Sequence, residues 1–426
     1  MTHPLPSEID VLVRSLVSAD FRDYDHFILR EKILEKEYRK LGHVYPFMLA
    51  YDVSDHILAF SAKPGFHKFF GSSPVQNPKT LILALQAATS LEQAGYTEAK
   101  TLAREVATKL TEAHLFADEE GGCYLRTPFM HWYSSNHGVP LCMTAQDPSI
   151  YLTSLCGTAL LRYSELDHSF LKYAVRIGDY LKNPKSRVEI RNRPFFKYFI
   201  GRDNLLVHNV NTLAGSFLLR LATKVGDDGL HQIGMDALLN SISEIAEDGS
   251  LSYSSRVDPT YRAKRIDNFH TGFVICDLLD ASEVSPEVPF MRYAVKMLGF
   301  YMRMFDRSGT PSYTPWRRFP KDIHDYAVGI ITFSRLSDFY PDYLRVAELI
   351  RSSAARTMRD SDGLYWFQRY PLVVHRGKFL RWNQAWMLRA ISDCVLRQEE
   401  EGIVPQENGV FRKASSYRPG DPAEGH

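Results

Sequence analysis

Apolar positions along the chain recur with the spacing of α-helices, in two kinds of stretch. In the first kind nearly every position is apolar or small, and polar residues stand at its beginning. Helices that are buried on all sides have this composition. We therefore predict six inner helices, beginning at Asn77, Ser149, His208, Asn268, Asp322 and Arg381.

The second kind of stretch carries apolar residues at intervals of three and four and charges on the remaining face. This pattern is typical of helices with one side in water. The pattern predicts outer helices within residues 96–116, 167–182, 230–247, 288–305 and 342–358.

The two kinds of helix alternate, and a similar glycine-bearing turn follows several outer helices. Copies lie at 247–253, 306–313 and 360–367, with a weaker copy at 118–125. A Gly just past a helix end stops the helix, and the aromatic alternation after it indicates a short extended hairpin. Inner helices begin 54 to 72 residues apart. Six helix pairs that close on themselves avoid apolar ends, so we predict an all-α protein, an (α/α)6 toroid with short β-hairpin loops at one mouth.

The toroid accounts for most of the chain, which we interpret as a single domain over residues 1–401. We expect the first helix pair to consist of 24–41 and the helix at Asn77. The aromatic-rich segment 43–76 has no helical period and is predicted to be an irregular excursion that could cover one mouth of the ring. Residues 402–426 are polar and are predicted to be a disordered tail.

All inner helices of a closed toroid run in the same direction, so their N-termini gather at one mouth. Polar residues that are far apart in sequence then face one another. Acid and imidazole side chains suit proton transfer, and we predict a catalytic set of Asp267, His270, Asp322 and His324. Aromatic faces stack on sugars, and Asn, His and Arg pair with hydroxyl or carboxylate groups. We predict a substrate-binding set of His208, Asn209, Asn268, Arg381, Trp382, Tyr253, Tyr313 and Trp366.

Structural roles compete with each of these assignments. Asp267, Asn268 and Asp322 stand where helix caps stand. His270 and His324 also fit as histidines that bond neighbouring loops, and Trp382 fits as a core residue.

The charge and cysteine content of the chain argue against some classes of binding partner and against disulfides. The 51 basic and 50 acidic residues give a formal net charge of +1 without a basic face, which argues against binding to nucleic acid or anionic membrane. No long apolar segment or secretion signal is present, so we expect a cytoplasmic protein that is not an integral membrane protein. The five cysteines are scattered and predict free thiols rather than disulfides. We predict a carbohydrate or nucleotide-free glycan as partner, with no cofactor and no metal; the oligomeric state stays open.

A resemblance supports the carbohydrate hypothesis. The segments "VHNVNTLAGSFLL", "IDNFHTGFVICDLL", "PKDIHDYAVGIITFSRL" and "RWNQAWMLRAIS" resemble a family of toroid proteins associated with polysaccharide biosynthesis. More distantly they are similar to the helical domain of glucuronyl epimerases and to (α/α)6 glycoside hydrolases and lyases. The chain departs from the family pattern near its N-terminus, where only Tyr24 and Asp25 are kept, and at Gly329, where the family has Gln.

The resemblance implies a carbohydrate-active enzyme that modifies a sugar, including one with uronic acid, during glycan biosynthesis. Epimerase, lyase and hydrolase chemistry by acid and base groups all stay open. The alternative, motivated by the departures from the family pattern, is a non-catalytic sugar-binding or scaffold subunit of a polysaccharide assembly system. Turnover of a glycan distinguishes the two.

Overall fold

The computed structural model describes residues 4–25, 27–29, 64–69, 71–129, 131–133, 141–201 and 205–402. Within these residues the α-helices are α1 Ser7–Ser18, α2 Pro64–Phe69, α3 Pro78–Gln93, α4 Thr97–Ala113, α5 Ile150–Tyr163, α6 Leu171–Lys182, α7 His208–Val225, α8 Asp228–Ile242, α9 Asn268–Val284, α10 Phe290–Tyr301, α11 Ile323–Leu336, α12 Tyr343–Met358 and α13 Ala385–Glu400. Short 3-10 turns span His168–Phe170, Pro184–Ser186 and Met302–Met304, and a π-helical turn, Leu380–Gln384, leads into α13.

Six of these helices form a closed inner ring. They are α3, α5, α7, α9, α11 and α13, each in contact with the next, and α13 contacts α3 to complete the circle. Each of the first five packs against the outer helix that follows it in the chain, α4, α6, α8, α10 and α12. The protein is therefore a mostly helical (α/α)6 toroid, as the sequence pattern predicted.

Burial explains why the two helix types differ in composition. Every residue of α3 from Pro78 to Leu91 is buried except Lys79, because this helix has neighbours on all sides. The outer helix α4 buries a single stripe at helical spacing, which includes Ala99, Ala103 and Val106.

The N-terminal helix α1 takes the outer position beside α13. We expected residues 24–41 to form the outer helix of the first pair. That segment lies outside the described residues except for 24, 25 and 27–29, and α3 pairs instead with α4, which follows it. Helix α1 was not predicted, because the outer helix of the first pair was expected immediately before Asn77 rather than near the beginning of the chain.

Glycine turns confirm the equivalence of α1 to the other outer helices. Gly309 has φ +76°, and a Cβ on it would lie 2.8 Å from the backbone of Leu349 in α12. Gly363 has φ +85°, and its Cβ would lie 3.1 Å from Val11 of α1. Both turns need a left-handed residue without a side chain where the next outer helix passes.

A partly buried ionic cluster holds α1 in place. The carboxylate of Glu8 accepts hydrogen bonds from Arg351 Nη2 at 2.9 Å, from Arg359 Nη1 at 3.1 Å and from the Tyr365 hydroxyl. Burial acts upward on the pKa of Glu8, but these donors outweigh it and lower the pKa. The cluster joins α1 to α12 and the turn that follows α12.

Short antiparallel strands connect the helices. They are β1 Arg22–Asp23, β2 Val75–Gln76, β3 Phe116–Ala117, β4 Cys123–Tyr124, β5 His131–Tyr133, β6 Leu141–Met143, β7 Arg187–Ile190, β8 Arg193–Phe196, β9 Lys321–Asp322, β10 Gln368–Arg369 and β11 Val374–His375. β10 lies between β9 and β11 and pairs Gln368 with Asp322. This small sheet sets the beginning of α11 against the loop that precedes α13.

The remaining predictions concern segments that the structure describes only in part. Of the excursion 43–76, the described residues form α2 and the strand β2, which pairs with β1. The tail beyond residue 402 lies outside the described residues. No helix in the described part of the chain has the length and apolarity to cross a bilayer.

Candidate active site

The residue two positions after the N-cap of each inner helix occupies an equivalent place in the ring. Helices α3, α5, α7, α9 and α11 follow caps at Asn77, Ser149, Val207, Asp267 and Asp322, and the π-helical turn before α13 follows Phe379. Counting two residues from each cap gives Lys79, Tyr151, Asn209, Phe269, His324 and Arg381. Equal positions in a closed ring of parallel helices face a common centre, so this register, termed the second-position ring, defines the candidate site.

The first Asp–His pair stands at the beginning of α9. Asp267 caps the helix, because its Oδ1 accepts the backbone N–H of His270 at 2.9 Å. The ring Nδ1 of His270 lies 2.7 Å from Asp267 Oδ2. Burial acts upward on the pKa of Asp267, but His270 and Arg265 outweigh it and lower the pKa. A carboxylate only accepts, so Nδ1 carries the proton and Nε2 of His270 is left for other partners.

The second Asp–His pair repeats this arrangement at the beginning of α11. Asp322 Oδ1 accepts the backbone N–H of His324 at 2.9 Å and lies 3.0 Å from its ring Nδ1. Asp322 Oδ2 accepts a hydrogen bond from Gln368 Nε2 at 2.6 Å. His324 is 3% exposed, and its Nε2 has no hydrogen-bond partner in the described part of the chain. Burial lowers the pKa of His324 against the opposing effect of Asp322, so the ring is neutral at neutral pH.

One aromatic ring links the two pairs. The Phe269 ring centroid is 4.1 Å from that of His270 and 5.7 Å from that of His324. Tyr253 closes the other side of His270, with ring centroids 4.6 Å apart. The two imidazoles thus belong to one site, although 54 residues separate them.

Two tryptophans form an apolar wall beside the second pair. The ring of His324 lies 5.0 Å from Trp382 and 5.9 Å from Trp386, measured between centroids. Trp382 is half-buried, whereas Trp386 is fully buried in the core. Indole faces of this kind are suited to stacking on the C–H face of a sugar.

Arg381 is the second-position residue of the last repeat, and it pairs with the N-terminal segment. Its Nε donates to Asp25 Oδ2 at 2.6 Å, and both residues are about 5% exposed. The guanidinium lies 4.2 Å from the Trp382 ring centroid, and its Nη2 has no hydrogen-bond partner among the described residues. We expected Arg381 to bind a substrate carboxylate directly. Asp25 already balances its charge in this structure, and Nη2 is a donor from which no described residue accepts.

Lys79 was not among the predicted site residues. Its ammonium lies 5.0 Å from the Trp386 ring centroid, 5.2 Å from Tyr151 and 5.7 Å from Trp382. Burial lowers the pKa of Lys79 to about 7, and the nearby Arg381 acts in the same direction. The signal that could have identified Lys79, Tyr151 and Phe269 is their position two residues after a cap.

Asp325 is a further buried acid that the sequence analysis did not include. It is fully buried, and neither carboxyl oxygen has a hydrogen-bond partner among the described residues. Burial raises its pKa well above the ordinary value, and Asp322 and Asp267 add to the effect. This buried carboxyl therefore favours its protonated form more than an ordinary carboxyl does, and it lies next to both Asp–His pairs.

His208 takes part in a buried contact with the outer helix layer. It is 1% exposed; its Nδ1 lies 3.1 Å from the Ser241 hydroxyl and its Nε2 lies 3.3 Å from Glu244. Burial acts upward on the pKa of Glu244, but hydrogen bonds from His208, Arg256 and Ser255 lower it to about 2. The geometry favours a structural role for His208. A narrow cleft nevertheless brings it together with Asn209, Tyr253, Asp267 and His270.

The other predicted binding residues are Asn209, Asn268, Tyr313 and Trp366. Asn209 is buried with its Oδ1 unpartnered, in the second-position ring. Asn268 is fully buried, accepts from the Tyr301 hydroxyl at 3.1 Å and so faces the outer layer. The backbone carbonyl of Tyr313 accepts from Asn268 N at 3.1 Å. Trp366 has the Arg376 guanidinium 5.2 Å from its ring centroid and contacts neither Asp–His pair.

Among the residues that the structure describes, no group of three or more His, Cys, Asp or Glu side chains could hold a metal ion. What the site can do chemically follows from two oriented imidazoles, a buried acid, an amine and an aromatic wall. Imidazole, carboxyl and amine groups can accept and donate protons.

Solved structures with the same fold were found by comparison of coordinates. The chain is similar to cellobiose 2-epimerase from Bacillus thermoamylovorans, with a TM-score of 0.59 and 12% identity over 76% of this chain and 88% of that one. It is similar to a GH76 alpha-mannanase from Bacteroides thetaiotaomicron, with a TM-score of 0.56 and 10% identity over 76% and 86%. It is also similar to a D-mannose isomerase, with a TM-score of 0.53 and 13% identity over 75% and 87%. No family model matches the sequence. No curated protein matches it either. At these identities the likeness establishes the (α/α)6 toroid fold.

Proposed function

We propose that the protein is a carbohydrate epimerase or isomerase that works by acid and base catalysis at the two Asp–His pairs. The observation that carries the proposal is their duplication. Each imidazole turns Nδ1 to its own carboxylate, at 2.7 Å for His270 and 3.0 Å for His324, and leaves Nε2 for a substrate. Two bases at one substrate allow a proton to leave from one side and return on the other.

The chemical step follows from this arrangement. His324 is neutral at neutral pH, so its Nε2 takes the proton from the carbon next to a sugar carbonyl, and the electron pair of that C–H bond forms an enediolate. Nε2 of His270 in its imidazolium form delivers a proton to the opposite face of the same carbon, which gives the epimer and leaves His270 neutral. Exchange with water then removes the proton from His324 and restores the one on His270. Delivery to the neighbouring carbon, after proton transfer between the oxygens, gives the isomer. Burial raises the pKa of Asp325, so its carboxyl adds a further buried group near both pairs that favours its protonated form.

A hydrolase is less consistent with this geometry. Glycoside hydrolysis needs two carboxyl groups that face the glycosidic bond. The carboxylates of Asp267 and Asp322 each accept hydrogen bonds from a helix N-terminus and an imidazole. Asp322 also accepts one from Gln368. The solved structures with this fold include a cellobiose 2-epimerase and a D-mannose isomerase, and the proposed chemistry is of the kind that these two names describe. A place in polysaccharide biosynthesis, a uronic acid substrate and a cytoplasmic location stay predictions from the sequence.

The test is solvent exchange. The protein is incubated in deuterated water with reducing monosaccharides, disaccharides and uronic acids, and deuterium at the carbon next to the carbonyl is measured by NMR. We expect exchange and epimer formation with wild type, and a loss of about 100-fold or more in His270→Ala and His324→Ala. His168→Ala is the matched control, because His168 is exposed on an outer 3-10 turn. Binding of sugars without any exchange would replace this proposal by the sugar-binding or scaffold alternative.

A further inference from the structure

Two cations contact the same indole at the place where the ring closes. The Lys79 ammonium lies 5.7 Å from the Trp382 ring centroid, and the Arg381 guanidinium carbon lies 4.2 Å from it. Lys79 belongs to the first turn of α3, and Arg381 to the turn before α13, and these two helices are neighbours.

Counter-charge for these cations is incomplete. Asp25 Oδ2 accepts from Arg381 Nε at 2.6 Å, whereas Arg381 Nη2 is buried and has no hydrogen-bond partner among the described residues. The Lys79 ammonium contacts three aromatic rings, and no hydrogen bond or ion pair joins it to another described residue. Buried charge is normally paired. Because Asp25 pairs with Arg381, a protonated Lys79 would lack a carboxylate partner among the described residues.

A second carboxyl group nearby, that of Asp23, is already held by backbone donors. Asp23 accepts the backbone N–H groups of Leu380 at 2.6 Å and Tyr24 at 2.8 Å. Burial raises the pKa of Asp23 to about 7, with the repulsion of Asp25 in the same direction. The oxygens of Asp23 are directed at backbone donors rather than at Lys79.

We propose that Lys79 and Nη2 of Arg381 form an anion-binding subsite that holds the carboxylate or phosphate of an acidic sugar next to His324. The inference rests on the proposed function, because it names the substrate class of that same site. An anionic oxygen there would accept from a guanidinium N–H and an ammonium, bonds that are stronger than those between neutral groups. The indole of Trp382 would stack on the sugar ring.

Proton uptake is the signature that a merely structural lysine would not give. The groups that face Lys79 are Arg381, Asp25, His324 and Tyr151. With its pKa near 7, Lys79 is largely neutral at pH 7.5, and a bound anion stabilises the protonated form. Asp23 titrates in the same range, so its contribution has to be removed separately.

The experiment is isothermal titration calorimetry of the full chain at pH 7.5, in two buffers of different ionisation enthalpy. The ligands are D-glucuronate, D-glucose 6-phosphate and D-glucose, with sodium acetate and inorganic phosphate as simple anions. We expect at least one anionic sugar to bind about tenfold tighter than glucose and to take up a fraction of a proton; which one does so distinguishes carboxylate from phosphate. Lys79→Met loses both effects, and Lys79→Arg keeps the preference without the proton uptake.

Two control variants complete the design. Lys172→Met removes an exposed lysine that lies 5.0 Å from the Tyr173 ring centroid, and it should change neither effect. Asp23→Asn should keep the proton uptake. The proposal is overturned if no anion binds better than glucose, or if Lys79→Met keeps the preference. His270→Ala should abolish turnover and retain the anion preference, so failure of the subsite and failure of the proposed chemistry are distinguishable.

Discussion

Oδ1 of Asp322 accepts the backbone N–H of His324 at 2.9 Å and lies 3.0 Å from Nδ1 of the same residue's imidazole. One carboxylate oxygen therefore caps the helix and orients the ring. Asp267 does the same for His270 three residues later in its own helix. Capping and active-site roles, which compete when the sequence is considered alone, are here compatible in a single side chain.

Substitution of Asp322 separates these roles. Asp322→Asn keeps an oxygen for the cap, and Gln368 can turn its amide to suit the new group. We expect turnover to fall by about 100-fold and the free energy of unfolding by less than about 1 kcal/mol. Asp322→Ala should lose both activity and roughly 1 kcal/mol or more of stability. Urea unfolding and turnover measure the two effects.

A matched control for that experiment is Asp227→Asn. Asp227 caps α8 by accepting from Leu230 N at 3.0 Å and has no histidine on its carboxylate. Full activity in this variant, together with full activity in Asp322→Asn, would contradict a catalytic role for the second Asp–His pair.

The pH dependence of turnover should reflect His324. Burial lowers its pKa, and the base works only when neutral, so kcat/KM should fall on the acid side with a midpoint below about 6.5. Because Asp322 opposes the shift, Asp322→Asn should move the residual activity's midpoint to still lower pH. The same shift reduces stability as the pH falls below about 6.5, because the unfolded chain protonates first. An acid midpoint at or above 6.5 would show that another group acts as the base.

Breaking the His208–Glu244 contact should destabilise the fold. Glu244→Gln leaves a buried histidine without its carboxylate, and we expect a loss of about 3 kcal/mol in the free energy of unfolding. Since the pKa of Glu244 is lowered to about 2, its contribution is present above about 4.5 and is lost as the pH falls toward 2. Thermal unfolding at pH 7 and pH 3 checks both statements. Equal losses at the two pH values would contradict the assigned role of the charge.

The N-terminal helix should prove essential for ring closure. Glu8→Gln weakens the contacts to Arg351, Arg359 and Tyr365, and we expect it to cost about 3 kcal/mol. Asp10→Asn, on the same helix, removes only a pair with the exposed Arg14 and should cost less than about 0.5 kcal/mol. Chemical denaturation measures the difference. Similar costs for both variants would mean that α1 adds little to the closed ring.

Much of the fold was predictable because it is periodic. The composition of α3 and α11 distinguishes helices surrounded by protein from amphipathic outer helices such as α4, and this difference persists through every repeat. The N-caps Asn77, Asp267 and Asp322 were likewise visible as polar residues before apolar stretches. Local hydrogen bonds decide caps, so local sequence is sufficient to identify them.

The candidate site was predictable only in part. His324 and Arg381 were found because their side chains are polar, whereas Lys79 was overlooked beside a proline in an otherwise apolar helix. Trp366 was included because it is aromatic and near a hairpin, but it packs under Arg376. Residue type indicates what a side chain can do, and its register on the helix determines where it does so.

The sequence by itself determined the alternation of inner and outer helices, the six inner helix starts and the Asp and His residues at two of them, because each of these depends on residues a few positions apart. Only the tertiary structure decided that α1 completes the outer layer, that Asp25 neutralises Arg381, and that the Lys79 ammonium lies beside Trp382 without a counter-ion among the described residues. Those relationships join chain segments hundreds of residues apart, and closure of the ring is what brings them into contact.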